Sequence, residues 1–292
     1  MTTQALERQP SRRDSEPLRQ RLESLEREAG ANALAVAVHD TATGEDFGMQ
    51  PDRWFHAAST IKVAILLGVF GAFHRGTLFP QSRVHVRNRF YSAFDGHAFR
   101  VQSDRDGNST VHSSIGKTMR VAELAHHMIV TSSNLATNLL LDLVGVEPIQ
   151  RLLDELGIEG IDLRRGVEDE QAFDHGISNH VTARGLASLL GAIVAHRTFT
   201  PELSDGMLAI LHEQEFRSGI PARLPKGARV AHKTGEISTV AHDAGVVFPP
   251  GRKPFVLVVL TEWDPDGGKR MNLIARASLA VYDHYVAGGD DA

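Results

Sequence analysis

The two ends of the chain carry strand patterns, and a long helical pattern lies between them. Five short apolar stretches bounded by turn residues are predicted strands: residues 33–39, 46–49, 229–234, 244–248 and 255–261. Two of them precede the helical pattern and three follow it, which implies that both ends of the chain meet in one sheet. The sequence therefore predicts an α/β (α+β) fold, with a five-stranded antiparallel sheet flanked by helices and an inserted all-α lobe.

Helical spacing of apolar residues dominates the middle of the chain. The predicted helices there are residues 59–74, 121–129, 135–143, 148–156 and 182–195. We assign residues 17–58 and 198–288 to the sheet lobe and residues 59–197 to the helical lobe of a single composite domain. Residues 1–16 are polar and charged, and we expect a disordered tail. With 292 residues, 42% of them hydrophobic, the chain can bury a large core.

The composition excludes several classes of function. A net charge of -5 gives no electrostatic attraction to nucleic acid or to an anionic membrane surface. Cysteine is absent, so disulfides, thiolate catalysis and cysteine-ligated zinc are ruled out. The 15 histidines show no compact metal-ligand spacing, and the sequence predicts no metal and no cofactor. The expected partner is a small-molecule substrate, bound by a monomer.

The N-terminus shows no recognisable secretory leader, because Arg12 and Arg13 are followed by acidic residues instead of an apolar segment. No apolar run reaches the length of a transmembrane helix. The sequence as it stands predicts a cytoplasmic protein, or a periplasmic or secreted one if a leader has been removed.

Ser59 and Lys62 stand three residues apart at the start of the apolar run 63–67. On a helix this spacing puts the hydroxyl and the amine on one face, close enough to touch. The hydroxyl would also lie at a helix N-terminus, where free N–H groups favour a developing oxyanion. The pair therefore predicts a nucleophilic serine, and the plain alternative is an N-cap serine followed by a surface lysine.

Two later triplets add to this pair. Ser132-Ser133-Asn134 begins a second apolar helical stretch, and Lys233-Thr234-Gly235 closes a predicted strand. Each triplet is weak evidence alone, since a serine before a helix is usually a cap and a lysine at a strand end is usually solvated. Their order is more informative, because S-x-x-K opens one inner helix, S-x-N opens another, and K-T-G lies on a strand that returns to the sheet.

This set of motifs resembles the penicillin-recognising serine enzymes, most closely the class A β-lactamases. The likeness includes residues 55–59 before the lysine, residues 132–141 and residues 242–250, and it covers residues 17–288. The resemblance implies a β-lactamase/transpeptidase-like fold. It also implies a serine hydrolase that cleaves β-lactam amide bonds through an acyl-Ser59 enzyme.

The resemblance implies a role for each candidate catalytic residue. Lys62, desolvated near Lys233, would have a lowered pKa and could take the proton of Ser59. Ser132 would relay a proton to the departing nitrogen, tuned by the charge of Lys233. The backbone N–H groups of Ser59 and Glu236 would form the oxyanion hole.

The resemblance also implies the residues that bind substrate. Lys233 and Thr234, followed by Gly235, would hold the substrate carboxylate, and Asn134 would hold the side-chain amide. Some family members bind the carboxylate with an arginine on the next strand. That strand carries V-A-H at residues 240–242, so Arg270 on the last helix is a candidate substitute.

The loop expected to carry the deacylating glutamate departs from the family pattern. Class A enzymes have a glutamate in an E-x-x-L-N setting that activates the hydrolytic water, whereas residues 166–172 here are G-V-E-D-E-Q-A. Glu168 or Glu170 could serve as the base, and the alternative is a solvated surface charge. Without a base, acylation would proceed and turnover would be slow, as in a penicillin-binding protein.

Two further departures concern the wall of the site. Ser133 replaces the family's aspartate and removes a charge that braces the loop. Residues 88–118 form a longer stretch than usual and, like residues 164–180, are long enough to suggest a functional loop. The aromatic residues of the first stretch either wall the cleft or form a small satellite core: Phe90, Tyr91, Phe94 and Phe99.

Three alternative functions stay open. The first is a penicillin-binding D,D-peptidase or esterase of the same fold with slow β-lactam deacylation. The second is a non-catalytic ligand-binding or sensor domain, although such a module has no chemical need for Ser59, Lys62, Ser132 and Lys233 together. The third is a glutaminase of the related serine fold.

Overall fold

The computed structural model describes residues 14–286, so most of the predicted tail, residues 1–16, lies outside the described part of the chain. The α-helices are α1 (Glu16–Ala29), α2 (Lys62–His74), α3 (Val121–Val130), α4 (Asn134–Val144), α5 (Val146–Glu155), α6 (Glu170–Asp174), α7 (Ala183–Val194), α8 (Pro201–His212) and α9 (Arg270–Tyr285). The strands are β1 (Ala33–Asp40), β2 (Asp46–Met49), β3 (Phe55–His56), β4 (Arg83–His85), β5 (Phe90–Tyr91), β6 (Ala98–Phe99), β7 (Thr118–Arg120), β8 (Ile161–Asp162), β9 (His180–Val181), β10 (Arg229–Ile237), β11 (Val240–Phe248) and β12 (Phe255–Glu262).

The main sheet has five antiparallel strands in the order β10-β11-β12-β1-β2, which confirms the predicted fold class. β1 pairs along its whole length with β12, from Ala33 opposite Glu262 to Asp40 opposite Phe255. Backbone hydrogen bonds of one sheet therefore join the two ends of the chain. β10, which carries the K-T-G triplet, is an edge strand of this sheet.

Both faces of the sheet are buried, because helices cover each side. On β1, Ala33 and Ala35 belong to the core shared with α2, α3, α4, α5, α7 and α8. Leu34 and Val36 belong to the core shared with α1 and α9. This alternation follows the two-residue period of a strand and gives three layers, with the sheet in the middle.

α2 lies inside the helical layer and is apolar on all sides, as a core helix is. Its residues from Lys62 to Ala72 are buried. At Gly68, a β-carbon would overlap the side chain of Ile149 on α5, so the two helices approach closely. Neither α2 nor any other helix within residues 14–286 is both long and apolar enough to cross a membrane.

Three small sheets were missed by the sequence analysis: β3 with β9 and β8, β4 with β7, and β5 with β6. These strands have two or three residues each, too few for alternation to appear. β11 begins at Val240, earlier than the predicted residue 244, because the buried polar residues His242 and Asp243 conceal its first half. The predicted helix 59–74 begins with a 3₁₀ segment, Ala58–Ile61.

The four aromatic residues of the insertion, residues 88–118, take neither predicted role: two belong to the main core, and two are exposed and are not among the residues that line the cleft. Phe90 is buried in the main core and Phe99 packs against it, so neither forms a separate satellite core. Tyr91 and Phe94 are exposed, and the Phe94 ring stacks on His175 with 3.7 Å between centroids. The insertion is thus anchored in the core and also contacts the loop 164–180.

The close packing of α2 generates a stability prediction. We expect Gly68→Ala to lower the free energy of unfolding by about 1–3 kcal/mol, because the new methyl group overlaps Ile149. Gly191→Ala on α7 is the matched control, since a β-carbon there meets its nearest neighbour, His39, at 3.9 Å. It should leave stability unchanged or raise it by up to about 1 kcal/mol. Urea denaturation measures both, and equal effects would contradict this account of the packing.

Candidate active site

Ser59 lies on the 3₁₀ segment that leads into α2, at the border of a cleft of about 720 Å³. In a 3₁₀ helix, side chains three residues apart eclipse, so Ser59 and Lys62 share one side of the chain. Ser59 is half-buried, whereas Lys62 is fully buried. The cleft is lined by residues that include Ser59, Asn134, Glu168 and Glu236.

The Lys62 amine makes three hydrogen bonds with the start of α4. Nζ donates to Ser132 O at 2.7 Å and to Asn134 Oδ1 at 2.8 Å, and it lies 3.1 Å from Ser132 Oγ. Burial lowers the pKa of Lys62 to about 7, and the charges of Asp106 and Glu168 oppose part of this shift. Near neutral pH this lysine is therefore a base as well as an acid.

Ser132 occupies the turn between α3 and α4 with φ of 57°, in the left-handed region that is uncommon for serine. Ser133 caps α4 by accepting from the backbone N–H of Ala136. The turn directs the Ser132 carbonyl, the Ser132 hydroxyl and the Asn134 amide oxygen towards Lys62. The S-S-N triplet thus provides every hydrogen-bond partner of the Lys62 amine within residues 14–286.

Lys233 brings a second buried amine from β10. It is fully buried, and its Nζ donates to Thr234 O at 2.8 Å. Burial holds the pKa of Lys233 well below its ordinary value, and the nearby charge of Lys62 lowers it further. The lysine of the S-x-x-K motif is therefore close enough to the lysine of the K-T-G motif to lower its pKa.

Gly235 allows β10 to approach the 3₁₀ segment closely. A β-carbon at Gly235 would lie 2.8 Å from the backbone nitrogen of Ser59 and 2.9 Å from that of Thr60. Glu236 follows directly and lines the cleft beside Ser59. The end of β10 and the amide of Ser59 thus border one narrow space, as an oxyanion hole between Ser59 and Glu236 requires.

The expected interaction between the Ser59 hydroxyl and the Lys62 amine is not formed as a hydrogen bond. Among residues 14–286, no hydrogen bond to Ser59 Oγ is found, and Lys62 is engaged by the S-S-N triplet instead. Catalytic hydrogen bonds are often long before substrate binds and tighten in the complex. The two groups nevertheless share one side of the same short segment.

Glu168 and Glu170 have different environments. Glu168 Oε1 accepts from Asn134 Nδ2 at 2.7 Å, and its Oε2 accepts from the backbone N–H of Gln102 at 2.9 Å. Glu170 pairs with Arg105, and its side chain is 70% exposed. Of the two carboxylates, Glu168 contacts the residues around Lys62, and Glu170 is an exposed ion pair.

Arg270 does not extend into the cleft as a carboxylate ligand. Its guanidinium donates to the backbone carbonyls of Ile237, Pro265 and Gly267. These carbonyls take three of its five N–H donors, and Arg270 is not among the residues that line the cleft around Ser59, so the suggestion that it replaces the family's arginine is not supported. Arg270 instead fastens the turn after β10 to the start of α9.

The sequence analysis missed Asp106, whose side chain is 0% exposed and lies at the start of α4. No sequence signal marks it, since it belongs to a polar stretch far from residue 132. Within residues 14–286, no group of three or more His, Asp or Glu side chains is arranged to hold a metal ion.

Comparison with known proteins agrees with this geometry. The family model described as the β-lactamase enzyme family matches residues 17–285. A β-lactamase of Streptomyces albus G is 28% identical over 271 residues, covering 89% of this chain and 82% of the relative. The solved β-lactamase from Sphaerobacter thermophilus has a TM-score of 0.78 and 25% identity, covering 93% of this chain and 97% of that one.

A mutant of PBP-A, solved as an acyl-enzyme complex with penicillin G, has a TM-score of 0.78 and 26% identity, covering 94% of this chain and 97% of that one. The family match extends over nearly all of the described residues, including the three motifs and the sheet that joins both ends of the chain. The chain belongs to the β-lactamase enzyme family.

Proposed function

We propose that this chain is a serine hydrolase that opens β-lactam amide bonds through an acyl-Ser59 intermediate. The observation that carries the proposal is the buried amine of Lys62, with a pKa near 7, beside Ser132 and Asn134. Burial of an amine costs stability, and a protein that only binds a ligand gains nothing from it. A lysine with so low a pKa has a neutral form near pH 7 that can take a proton, as activation of a serine requires.

Acylation follows from the positions of these groups. Neutral Lys62 takes the proton of Ser59 Oγ, which forms a bond to the lactam carbonyl carbon. The backbone N–H groups of Ser59 and Glu236 hold the oxyanion. When the carbon–nitrogen bond breaks, Ser132 Oγ gives its proton to the ring nitrogen and regains one from Lys62, 3.1 Å away. The product is an ester of Ser59.

The substrate is held by groups on both sides of the cleft. Lys233 and Thr234, next to Gly235, are the proposed ligands of its carboxylate, and Asn134 is the proposed partner of its side-chain amide. In the free protein, Asn134 Nδ2 donates a hydrogen bond to Glu168. To bind the substrate amide, Asn134 must break this hydrogen bond or share the N–H group between Glu168 and the substrate.

Deacylation needs a base for the hydrolytic water, and Glu168 is the carboxylate best placed for it. The hydrogen bond from Asn134 keeps Glu168 near the Lys62 amine, and the charge of Glu168 raises the pKa of that amine. Glu168 takes one proton of the water while the water oxygen attacks the ester carbon. The bond to Ser59 Oγ then breaks, and Ser59 Oγ receives the proton that Glu168 took, which restores both groups.

The second candidate function is a penicillin-binding D,D-peptidase or esterase with slow β-lactam deacylation. It is favoured by the loop sequence G-V-E-D-E-Q-A, which lacks the E-x-x-L-N setting. The similarity to PBP-A, solved with penicillin G as an acyl-enzyme, is compatible with it. Mass spectrometry of the intact protein over time separates the two functions, since a transient adduct indicates a β-lactamase and a persistent one a penicillin-binding protein.

Replacing the nucleophile tests the proposal directly. We expect the protein mixed with benzylpenicillin to gain the mass of one penicillin, and Ser59→Ala to gain none, because the proposed ester forms on Ser59 Oγ and Ser132, the other serine beside Lys62, only relays a proton. Ser188→Ala, an exposed serine on α7, is the control and should acylate normally. An adduct on Ser59→Ala, or none on the unaltered protein with any penicillin, would refute the assignment.

The lowered pKa of Lys62 predicts the pH dependence of acylation. The neutral amine is the active form, so the rate constant should rise with pH through about 7 and level off above it. Stopped-flow acylation under single-turnover conditions measures this rate constant. A rate that is independent of pH across this range would show that Lys62 is not the base.

Two glutamine variants distinguish the candidate bases. We expect Glu168→Gln to acylate but to hydrolyse the ester roughly 10²–10⁴-fold more slowly, because the amide cannot take a proton from water. Glu170→Gln, a matched change on an exposed ion pair, should leave turnover nearly unchanged. Adduct lifetime by mass spectrometry is the measurement. A persistent adduct in Glu170→Gln alone would assign the base to Glu170.

A further inference from the structure

A buried carboxylate lies at the start of α4, although the S-S-N triplet carries none. It belongs to Asp106 of the insertion, and its side chain is 0% exposed. Asp106 accepts from the backbone N–H groups of Asn134 at 2.8 Å and Leu135 at 3.3 Å, and from Ser133 Oγ at 3.0 Å. His112 Nε2 lies 3.1 Å away. A buried charge with this many donors is compensated and held in one position.

The chain on either side of this carboxylate fits the turn between α3 and α4. A β-carbon at Gly107 would overlap the carbonyl oxygen of Thr131, so the insertion passes the turn at a distance that excludes any side chain. Asn108 Nδ2 then donates to Thr131 Oγ1 at 2.7 Å. The position of Asp106 is therefore set by contacts before and at the start of α4.

The residues that Asp106 holds adjoin those that hold Lys62. Ser132 has a left-handed backbone that costs energy for a serine and persists only with support from its surroundings. Asp106 supplies that support by fixing Ser133 and the N–H of Asn134 directly after it. Ser132 and Asn134 in turn provide the three oxygens around Lys62 Nζ.

Asp106 also acts on Lys62 through its charge. Burial lowers the pKa of Lys62. The charges of two carboxylates oppose this shift, and Asp106 raises the pKa more than Glu168 does. On the other side of the site, the pKa of Lys233 is lowered by the charge of Lys62. Loss of the Asp106 charge would therefore lower the pKa of Lys62 further.

Two imidazoles face Asp106 itself. His112 is the nearer one, and His127 on α3 is the other, since Asp106 opposes the lowering of the His127 pKa that burial causes. Because both rings lie close to Asp106, the pH dependence of a variant must be compared with that of the unaltered protein.

We propose that Asp106 is a positioning residue for acyl transfer, supplying from the insertion the negative charge that the family's S-D-N triplet carries at the place of Ser133. This inference rests on the proposed function of the site. In this chain the carboxylate is on the insertion, and the hydroxyl that donates to it belongs to Ser133, the N-cap of α4.

The first test is Asp106→Asn, which preserves shape and removes the charge. We expect acylation at neutral pH to slow by about 10–100-fold, because Ser132 and Asn134 shift relative to Lys62. The rising limb of the pH profile should also move to lower pH. Asp104→Asn makes the same charge change at an exposed position two residues away. It should change neither the acylation rate nor the pH at which the rising limb of the profile lies. A normal rate, or a slower rate with an unmoved limb, would overturn the inference.

The second test moves the carboxylate across the contact. We expect Asp106→Ser combined with Ser133→Asp to acylate at least about tenfold faster than Asp106→Ser alone, because the same pair is restored in reverse. This comparison holds even if the single variant folds poorly, since the double variant should also regain its melting temperature. A double variant no better than the single one would overturn the inference.

A measurement without substrate separates this inference from the proposed function. The ¹³Cε shift of Lys62, assigned by its loss in Lys62→Met, reports protonation of the amine directly. Its titration should move to lower pH in Asp106→Asn and stay unchanged in Asp104→Asn. If no penicillin acylates Ser59 but this titration moves, the proposed function fails while the coupling of Asp106 to Lys62 stands. An unmoved titration overturns the inference whatever the activity.

Discussion

The burial of the Lys62 amine is the interaction on which the rest of the site depends. α2 begins at this residue inside the helical layer, so the amine has no access to bulk water and its charged form is disfavoured. An exposed lysine would stay protonated near neutral pH and could not act as a base. Lys233 brings a second buried amine from the sheet, and the charge of Lys62 lowers its pKa. The packing of sheet against helices therefore controls the protonation of both groups.

The insertion and the loop 164–180 together form one wall of the cleft and contact each other. Glu168 accepts from the backbone of Gln102, and Phe94 of the insertion stacks on His175 of the loop. A glutamate with a left-handed backbone, φ of 60°, is strained and needs such partners. The insertion thus gives a physical reason why a loop without the E-x-x-L-N setting still directs a carboxylate towards Asn134.

Sequence patterns predicted the five long strands and most long helices because their periodicity extends over enough residues. α4 and α7 are within one residue of their predicted ends. The short strands β5 and β6 escaped prediction because two residues show no period, and the first half of β11 escaped because His242 and Asp243 are polar yet buried. Asp106 was missed for a related reason: its role arises from contacts with residues nearly thirty positions later, which no local pattern encodes.

By itself the sequence determined which chemical groups the chain carries and in what order: a hydroxyl and an amine three residues apart, the S-S-N triplet, and a lysine on a returning strand. It also determined the sheet that joins the two ends, since an apolar stretch bounded by turn residues is a local property. Only the tertiary structure decided which oxygens surround Lys62, which glutamate contacts Asn134, and which carboxylate binds the N-terminal end of α4. Those outcomes depend on burial and on distances between segments far apart in the chain, and both exist only once the layers have packed.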